Sequence, residues 1–253
     1  MIKLSVVIIT YNEERNIARC LDSVKNISDD TVVVDSYSAD KTGEICRSRG
    51  VRFIIHAFEG YARSKNFADS QAKYPYILSL DADEALSPEL EQSILEVKAK
   101  WTHDVYAMNR LTNYCGHWIR HGGWYPDTKL RLFDSRKASW SDALVHESLI
   151  LHPGSHSGFL KGNILHYSYY SITEHVIRSN QFSDLAAEEL FRKGIKADLF
   201  KLGISPCLRF IRDYFLKMGF RDGYYGYQIA RITAYAVFMK YAKLRNLYHS
   251  QHD

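Results

Sequence analysis

The chain has 253 residues, 46% of them hydrophobic and 25% charged, with 5 prolines and 14 glycines. This balance excludes a disordered tail, a collagen-like repeat and a small disulfide-built scaffold, and the length can bury a sizeable core in one large domain, alone or with a smaller appendage. The formal net charge is +4, but residues 1–165 are near neutral (20 Lys+Arg against 21 Asp+Glu) and residues 166–253 are basic (13 against 8).

Leu4-Ser5-Val6-Val7-Ile8-Ile9 is a short, β-branched apolar run, the pattern of a strand buried on both faces. Asn12 is placed to cap a helix with Glu13 and Glu14 in its first turn, and Ile17, Cys20, Leu21 and Val24 follow at helical spacing. Thr31–Asp35 reads as a second strand ending in an acid, residues 41–49 as a short helix and Val51–Ile55 as a third strand. Residues 62–73 read as helix, and Tyr76–Leu80 as a fourth strand running into Asp81-Ala82-Asp83-Glu84. Ser87-Pro88-Glu89 then supplies a cap, an N1 proline and an acid at a helix start.

Alternating strands and helices imply a mostly parallel sheet with right-handed crossovers, which binds ligands beyond the carboxyl ends of its strands. The residues at those ends are Tyr11-Asn12-Glu13, Asp35 and Asp81/Asp83. Residues 104–165 are rich in aromatics, His and Gly, with short β-like pieces at 105–108 and 129–133. From about residue 171 the pattern is helical. Ser205-Pro206 reads as a cap with an N1 proline. Ile204, Leu208, Ile211, Phe215 and Met218 form an apolar stripe, expected inside, beside Arg209, Arg212, Lys217 and Arg221, expected outside. A last helix spans about 226–246.

Ten of the 18 tyrosines lie in the basic final third. A basic, Tyr-rich end points to an anionic partner, a membrane surface or a nucleic acid, and a helical region with a solvated basic face explains it equally well. Cys20, Cys46, Cys115 and Cys207 are scattered without metal-ligand spacing and read as small buried hydrophobes in a reducing compartment. The opening residues lack a signal-peptide pattern, and no apolar run reaches about 18 residues, so a cytoplasmic protein is expected.

Asp81-x-Asp83 at a strand end is the central chemical signal. Two carboxylates so spaced can share a hard cation such as Mg²⁺ or Mn²⁺, which would neutralise a diphosphate leaving group. Asp35 is placed for a ribose hydroxyl or a base, or to cap the turn Ser36–Asp40. Asp83 and Glu84 also fit a solvated turn before Ser87.

Four blocks carry a resemblance to family 2 glycosyltransferases: Ser5–Glu13, Asp35-Ser36-Tyr37-Ser38-Ala39-Asp40-Lys41-Thr42, Gly60–Asn66 and Leu80–Glu84. Gly122–Asp127, Arg131-Leu132-Phe133 and Val145-His146-Glu147 resemble more particularly the lipopolysaccharide-core β-1,4-glucosyltransferases. The resemblance spans roughly residues 3–170. It implies an α/β GT-A fold, Rossmann-like with a mostly parallel central sheet, followed by a helical C-terminal extension. Residues 1–100 would form the nucleotide-sugar half and 101–168 the acceptor half; the basic helices of 169–253, which match the family only in character, fit either an anionic membrane surface or an intramolecular cap on the sheet domain.

The resemblance also implies roles. Thr10, Tyr11 and Glu13 would border the base and ribose, Asp35 would bind uracil or ribose, and Lys65 would approach the diphosphate. Asp81 would contact the ribose or a metal-bound phosphate, and Asp83 would ligate Mg²⁺ or Mn²⁺, with Asp81 beside it. An inverting enzyme needs one general base. Glu147 is the first candidate and Asp127 the second, because His146-Glu147 stands where many relatives have Glu-Asp. His146 is a metal ligand, a phosphate donor or a core histidine. Trp118, His121 and Trp124 suit stacking on, and hydrogen bonding to, an acceptor sugar, or ordinary aromatic burial.

The activity so implied is transfer of a hexose, glucose from UDP-glucose, to a bacterial glycolipid such as the lipopolysaccharide inner core, at the cytoplasmic face of the inner membrane. A polyprenyl-phosphate or capsule acceptor is the alternative within the class. The first loop contains no glycine, which argues against a sugar-nucleotide pyrophosphorylase and a dinucleotide-dependent oxidoreductase. A basic nucleic-acid-binding module is the non-enzyme alternative, but no nucleic-acid partner is expected, because an acidic sheet edge would repel phosphates.

Overall fold

The computed structural model describes residues 1–141 and 148–250. Two compact units are present: residues 1–110 with 127–167, and residues 111–126 with 168–253. The segment 111–126, grouped by sequence with the first 168 residues, thus packs with the C-terminal helices.

In the first unit β1 (Leu4–Thr10), β2 (Asp30–Asp35), β3 (Arg52–Ile55) and β4 (Tyr76–Asp81) are separated by α1 (Ile17–Val24), α2 (Thr42–Ser48) and α3 (Tyr61–Ser70). They pair in parallel in the order β3-β2-β1-β4. After β5 (Glu84–Leu86) and α4 (Pro88–Ala99) come β6 (Val105–Tyr114), β7 (His117–Ile119), β8 (Asp127–Asp134), β9 (Ala138–Trp140), β10 (Leu149–Leu151) and β11 (Ser157–Tyr169). The sheet continues past β4 as β8-β6-β11-β5, with β8 antiparallel to both β4 and β6 and β5 antiparallel to β11. A β9–β10 hairpin stands apart.

Period-two alternation decides which side chain enters which layer. Val6 and Ile8 of β1 face α1 and α4, whose Ile17, Cys20, Leu21, Leu90 and Ile94 complete one core. Val7 faces the other way, toward Ala68 of α3 and Trp140 of the hairpin. Each such fully buried aliphatic side chain contributes roughly 1.5–3 kcal/mol. Burial on both faces explains the near-continuous apolar run of β1.

Three local expectations are corrected. Asn12 does not cap a helix: it sits at φ 53° and its side chain accepts from Ala39 N, while α1 begins at Ile17. Pro206 lies inside a helix, because Asp198 has already capped that helix at Leu199. The 204–218 stripe is exposed, as is Cys207, since that helix buries no residue below the surface.

The second unit contains β7 with α5 (Ile172–Arg192), α6 (Leu199–Ile211) and α7 (Gly223–His249). Its core joins Tyr114, Ile119 and Ile229 with Trp124, Tyr169 and Tyr225. Among the described residues no helix is long and apolar enough to cross a membrane.

Ser87 fastens α4 to β11. Its hydroxyl accepts from Leu90 N (3.2 Å) and from Asn163 N (2.9 Å), and its own N–H donates to Asn163 O. The contact is so close that Gly162, at φ 89°, has Leu90 N at 2.3 Å from where a Cβ would stand. Gly162→Ala should therefore destabilise the protein by more than about 3 kcal/mol. Gly154→Ala, with a similar φ and open space around it, should lose only about 1–2 kcal/mol. Equal urea midpoints for the two variants would contradict this packing.

Candidate active site

Sheet register brings the acidic strand ends together. Thr10 of β1 lies opposite Asp35 of β2, and Ile9 lies opposite Asp81 of β4. The loops beyond them are cross-tied: Asn12 N donates to Ser38 Oγ (2.7 Å), Glu13 N to Thr42 Oγ1 (2.8 Å) and Glu14 N to Asp40 Oδ2 (3.0 Å). This lattice uses the D-S-x-S-x-D-x-T residues as turn builders. Asp35 is buried and accepts from both the N–H and the hydroxyl of Ser38, so it does cap the following turn. Glu13 accepts from the Asn16 side chain, whereas Tyr11 is exposed. Thr10 Oγ1 is buried and has no hydrogen-bond partner among the described residues.

Asp81 is the hub. Lys65 Nζ lies 3.1 Å from Oδ1, and Arg131 Nη2 lies 2.8 Å from Oδ2. Burial alone would raise the Asp81 carboxyl, but Arg131 and then Lys65 outweigh it and hold the group well below the usual carboxylate range. Lys65, on α3, is itself buried. Arg131, on β8, also reaches the buried Glu84 (3.3 Å), which takes Arg110 at the same distance and accepts from Asp81 N (3.0 Å). Arg110 continues to Asp127 (2.8 Å), where Lys129 joins it (2.9 Å). One chain of alternating charges thus runs from Lys65 to Lys129.

Asp83 stands in the turn after β4. Ala82 N donates to Ile9 O and Tyr167 N donates to Asp83 O, so the turn is pinned on both sides. The antiparallel β5–β11 register sets His166 opposite Glu84 and brings its Nε2 to 3.2 Å from Asp83 Oδ2. Sequence reading missed His166, one of 11 histidines, because only this pairing reveals its neighbour. It also gave no role to Arg131 or Arg110.

Among the described residues no cluster of three or more His, Cys, Asp or Glu could hold a metal ion. Asp83 and His166 nonetheless fit one as a pair of donors, since Mg²⁺-type ions are commonly held by one or two side chains plus substrate phosphates. Asp81 already has two cationic partners and is less available as a ligand.

Of the expected catalytic and acceptor groups, Glu147 and His146 lie outside the described residues. Both oxygens of Asp127 are taken by Arg110 and Lys129. Trp118, His121 and Trp124 belong to the second unit. There His121 and its backbone bind Asp222 (2.9 and 2.7 Å), while Trp124 packs edge-on to Tyr114 and His175. Burial lowers His175 to about 4, so it is a neutral imidazole in contact with Tyr114 Oη (3.0 Å).

Trp140 orders the cationic side of the hub. Its backbone exchanges two hydrogen bonds with the Asn66 side chain, its indole N–H donates to Asp69 (2.9 Å), and its ring lies 4.7 Å from Lys65 Nζ. Burial pushes the Asp69 carboxyl up to about 7, against the hydrogen bond from Trp140 and the charge of Lys65. Between about pH 4 and pH 7 the folded chain therefore keeps a proton that the unfolded chain has released, and stability falls as pH rises through that window. Asp69→Asn should remove this fall, amounting to a few kcal/mol at most. Parallel urea midpoints for variant and wild type from the acid to the alkaline end of the window would contradict the assignment.

Comparisons with known proteins identify the family. The family described as glycosyl transferase family 2 matches residues 5–151. An uncharacterised glycosyltransferase of Rickettsia typhi is 34% identical over 258 residues, covering 98% of this chain and 88% of that protein. The lipopolysaccharide core biosynthesis glycosyltransferase LpsC of Rhizobium meliloti is 29% identical over 254 residues, covering 95% and 91%. Among solved structures, Staphylococcus aureus TarS 1–349 in complex with UDP is similar at a TM-score of 0.47 and 15% identity, covering 98% of this chain and 92% of that one. The family match takes in more than half of the residues, and this chain belongs to glycosyl transferase family 2.

Proposed function

We propose that the protein is an inverting, metal-dependent hexosyltransferase that moves glucose from UDP-glucose to a bacterial glycolipid such as the lipopolysaccharide inner core. The observation that carries the reading is the convergence of Asp35, Lys65, Asp81, Asp83 and His166 at one edge of the parallel sheet. The similarity to LpsC supports the acceptor class. A polyprenyl-phosphate or capsule acceptor keeps the same chemistry.

In this reading Thr10, Tyr11, Glu13 and Asp35 border the nucleoside, and Lys65 and Arg131 face the diphosphate with their charges already held in place by Asp81. Such fixed charge stabilises a departing anion without reorganisation at the moment of reaction. Asp83 and His166 would hold the cation, with Asp81 beside them; when bound, it would neutralise charge on the leaving diphosphate. The acceptor hydroxyl oxygen bonds to the anomeric carbon as the bond to diphosphate breaks, and the electron pair leaves with the diphosphate. The hydroxyl proton passes to the general base, for which Glu147 is preferred, since Asp127 is occupied by two cations. Trp118, His121, Trp124 and His146 are the candidate acceptor contacts.

Thermal unfolding with Mn²⁺ and a panel of nucleotide sugars tests the donor, with UDP-glucose expected to stabilise most. Asp83→Ala should keep the fold and lose both Mn²⁺-dependent stabilisation and transfer. His166→Ala should weaken Mn²⁺ at least about tenfold. Undiminished transfer by Asp83→Ala would overturn the reading.

A further inference from the structure

The apolar stripe of α6 faces solvent. Leu199, Phe200, Ile204, Leu208, Ile211 and Phe215 are between 45% and 74% exposed, and α6 buries no residue. Helical spacing puts Phe200, Ile204, Leu208 and Ile211 along one side, with Phe215 following in the continuation, where Leu216, Met218 and Phe220 are also exposed. Contiguous apolar surface of this kind marks a contact site rather than a solvated face.

Charge identifies the partner. Residues 196–221 hold six Lys or Arg and two Asp. Asp213 is buried and neutralised inside the unit by Arg209 and Arg212. Lys196, Lys217 and Arg221 remain exposed beside the apolar row. A two-fold dimer through this face would bring the like-charged basic flanks of both copies into one interface, because such an interface uses one patch twice. An anionic lipid surface instead complements both features. The 13 residues of α6 span about 20 Å, too short to cross a bilayer but suited to lying in its interface.

We propose that residues 199–220 form an interfacial anchor that seats the protein on an anionic phospholipid bilayer, the apolar row entering the acyl boundary and the Lys/Arg flank meeting the headgroups. The proposal is independent of the sugar transferred, and vesicle binding reads it without any turnover.

The test is sedimentation of the full chain with vesicles of phosphatidylcholine alone or phosphatidylcholine containing phosphatidylglycerol, at low and high salt, with the solution mass measured in parallel. The wild type should pellet with the anionic vesicles, more weakly at high salt, and remain with the supernatant for phosphatidylcholine. Lys217→Gln and Arg221→Gln should each reduce partitioning about fivefold. The triple variant Phe200→Ser/Leu208→Ser/Phe215→Ser should stay folded, because these side chains are exposed, and should lose binding. Three outcomes would overturn the proposal: no binding of the wild type to anionic vesicles, wild-type binding by the triple variant, or a solution dimer that the triple variant dissociates while neither form binds vesicles.

Discussion

The ion pairs on Asp81 are the constraint on which the site depends. A carboxylate at the end of β4 would be destabilised by its surroundings without Lys65 and Arg131, and those two cations would be equally costly without it. Breaking one partner from such a buried set typically costs about 3–5 kcal/mol, although the intact set adds little net stability. The arrangement is better understood as positioning than as support. It fixes two cations at the carboxyl edge of a parallel sheet, and Trp140 and Glu84 keep their head groups aimed there. This division of labour separates two aspartates that look equivalent in sequence: Asp81 orders cations, and Asp83 pairs with His166.

The N-terminal half was legible because its forces are local. β-branched runs, a proline at N1 behind Ser87 and acids at strand ends each act within a few residues, and the structure places all four parallel strands accordingly. The antiparallel strands that complete the sheet are set by long-range pairing, which is why His166 and Arg110 carried no signal. Asn12 shows the same limit in reverse. Its composition suits a helix cap, but the partner that wins is the backbone of Ala39, across from it on the next loop.

The C-terminal helices show where periodicity misleads. Helical spacing of Ile204, Leu208, Ile211 and Phe215 predicts a buried face, because burial is the usual fate of such a stripe. Spacing fixes only that the residues share a side; which surroundings that side meets depends on packing. Here the side is exposed. The basic excess of the final third then takes on a specific meaning, as the flank of an apolar contact surface rather than a diffuse affinity for anions. The two proposals give one chain two anionic partners, a diphosphate for the first unit and a lipid surface for α6 of the second.

The most direct measurement of the central claim is a crystal structure of the complex with UDP-glucose and Mn²⁺. The expected result is a cation coordinated by Asp83, His166 and the diphosphate, uracil beside Asp35, and Asp81 still paired with Lys65 and Arg131. A cation bound by Asp81 after its ion pairs have broken, or a nucleotide seated away from this sheet edge, would contradict it.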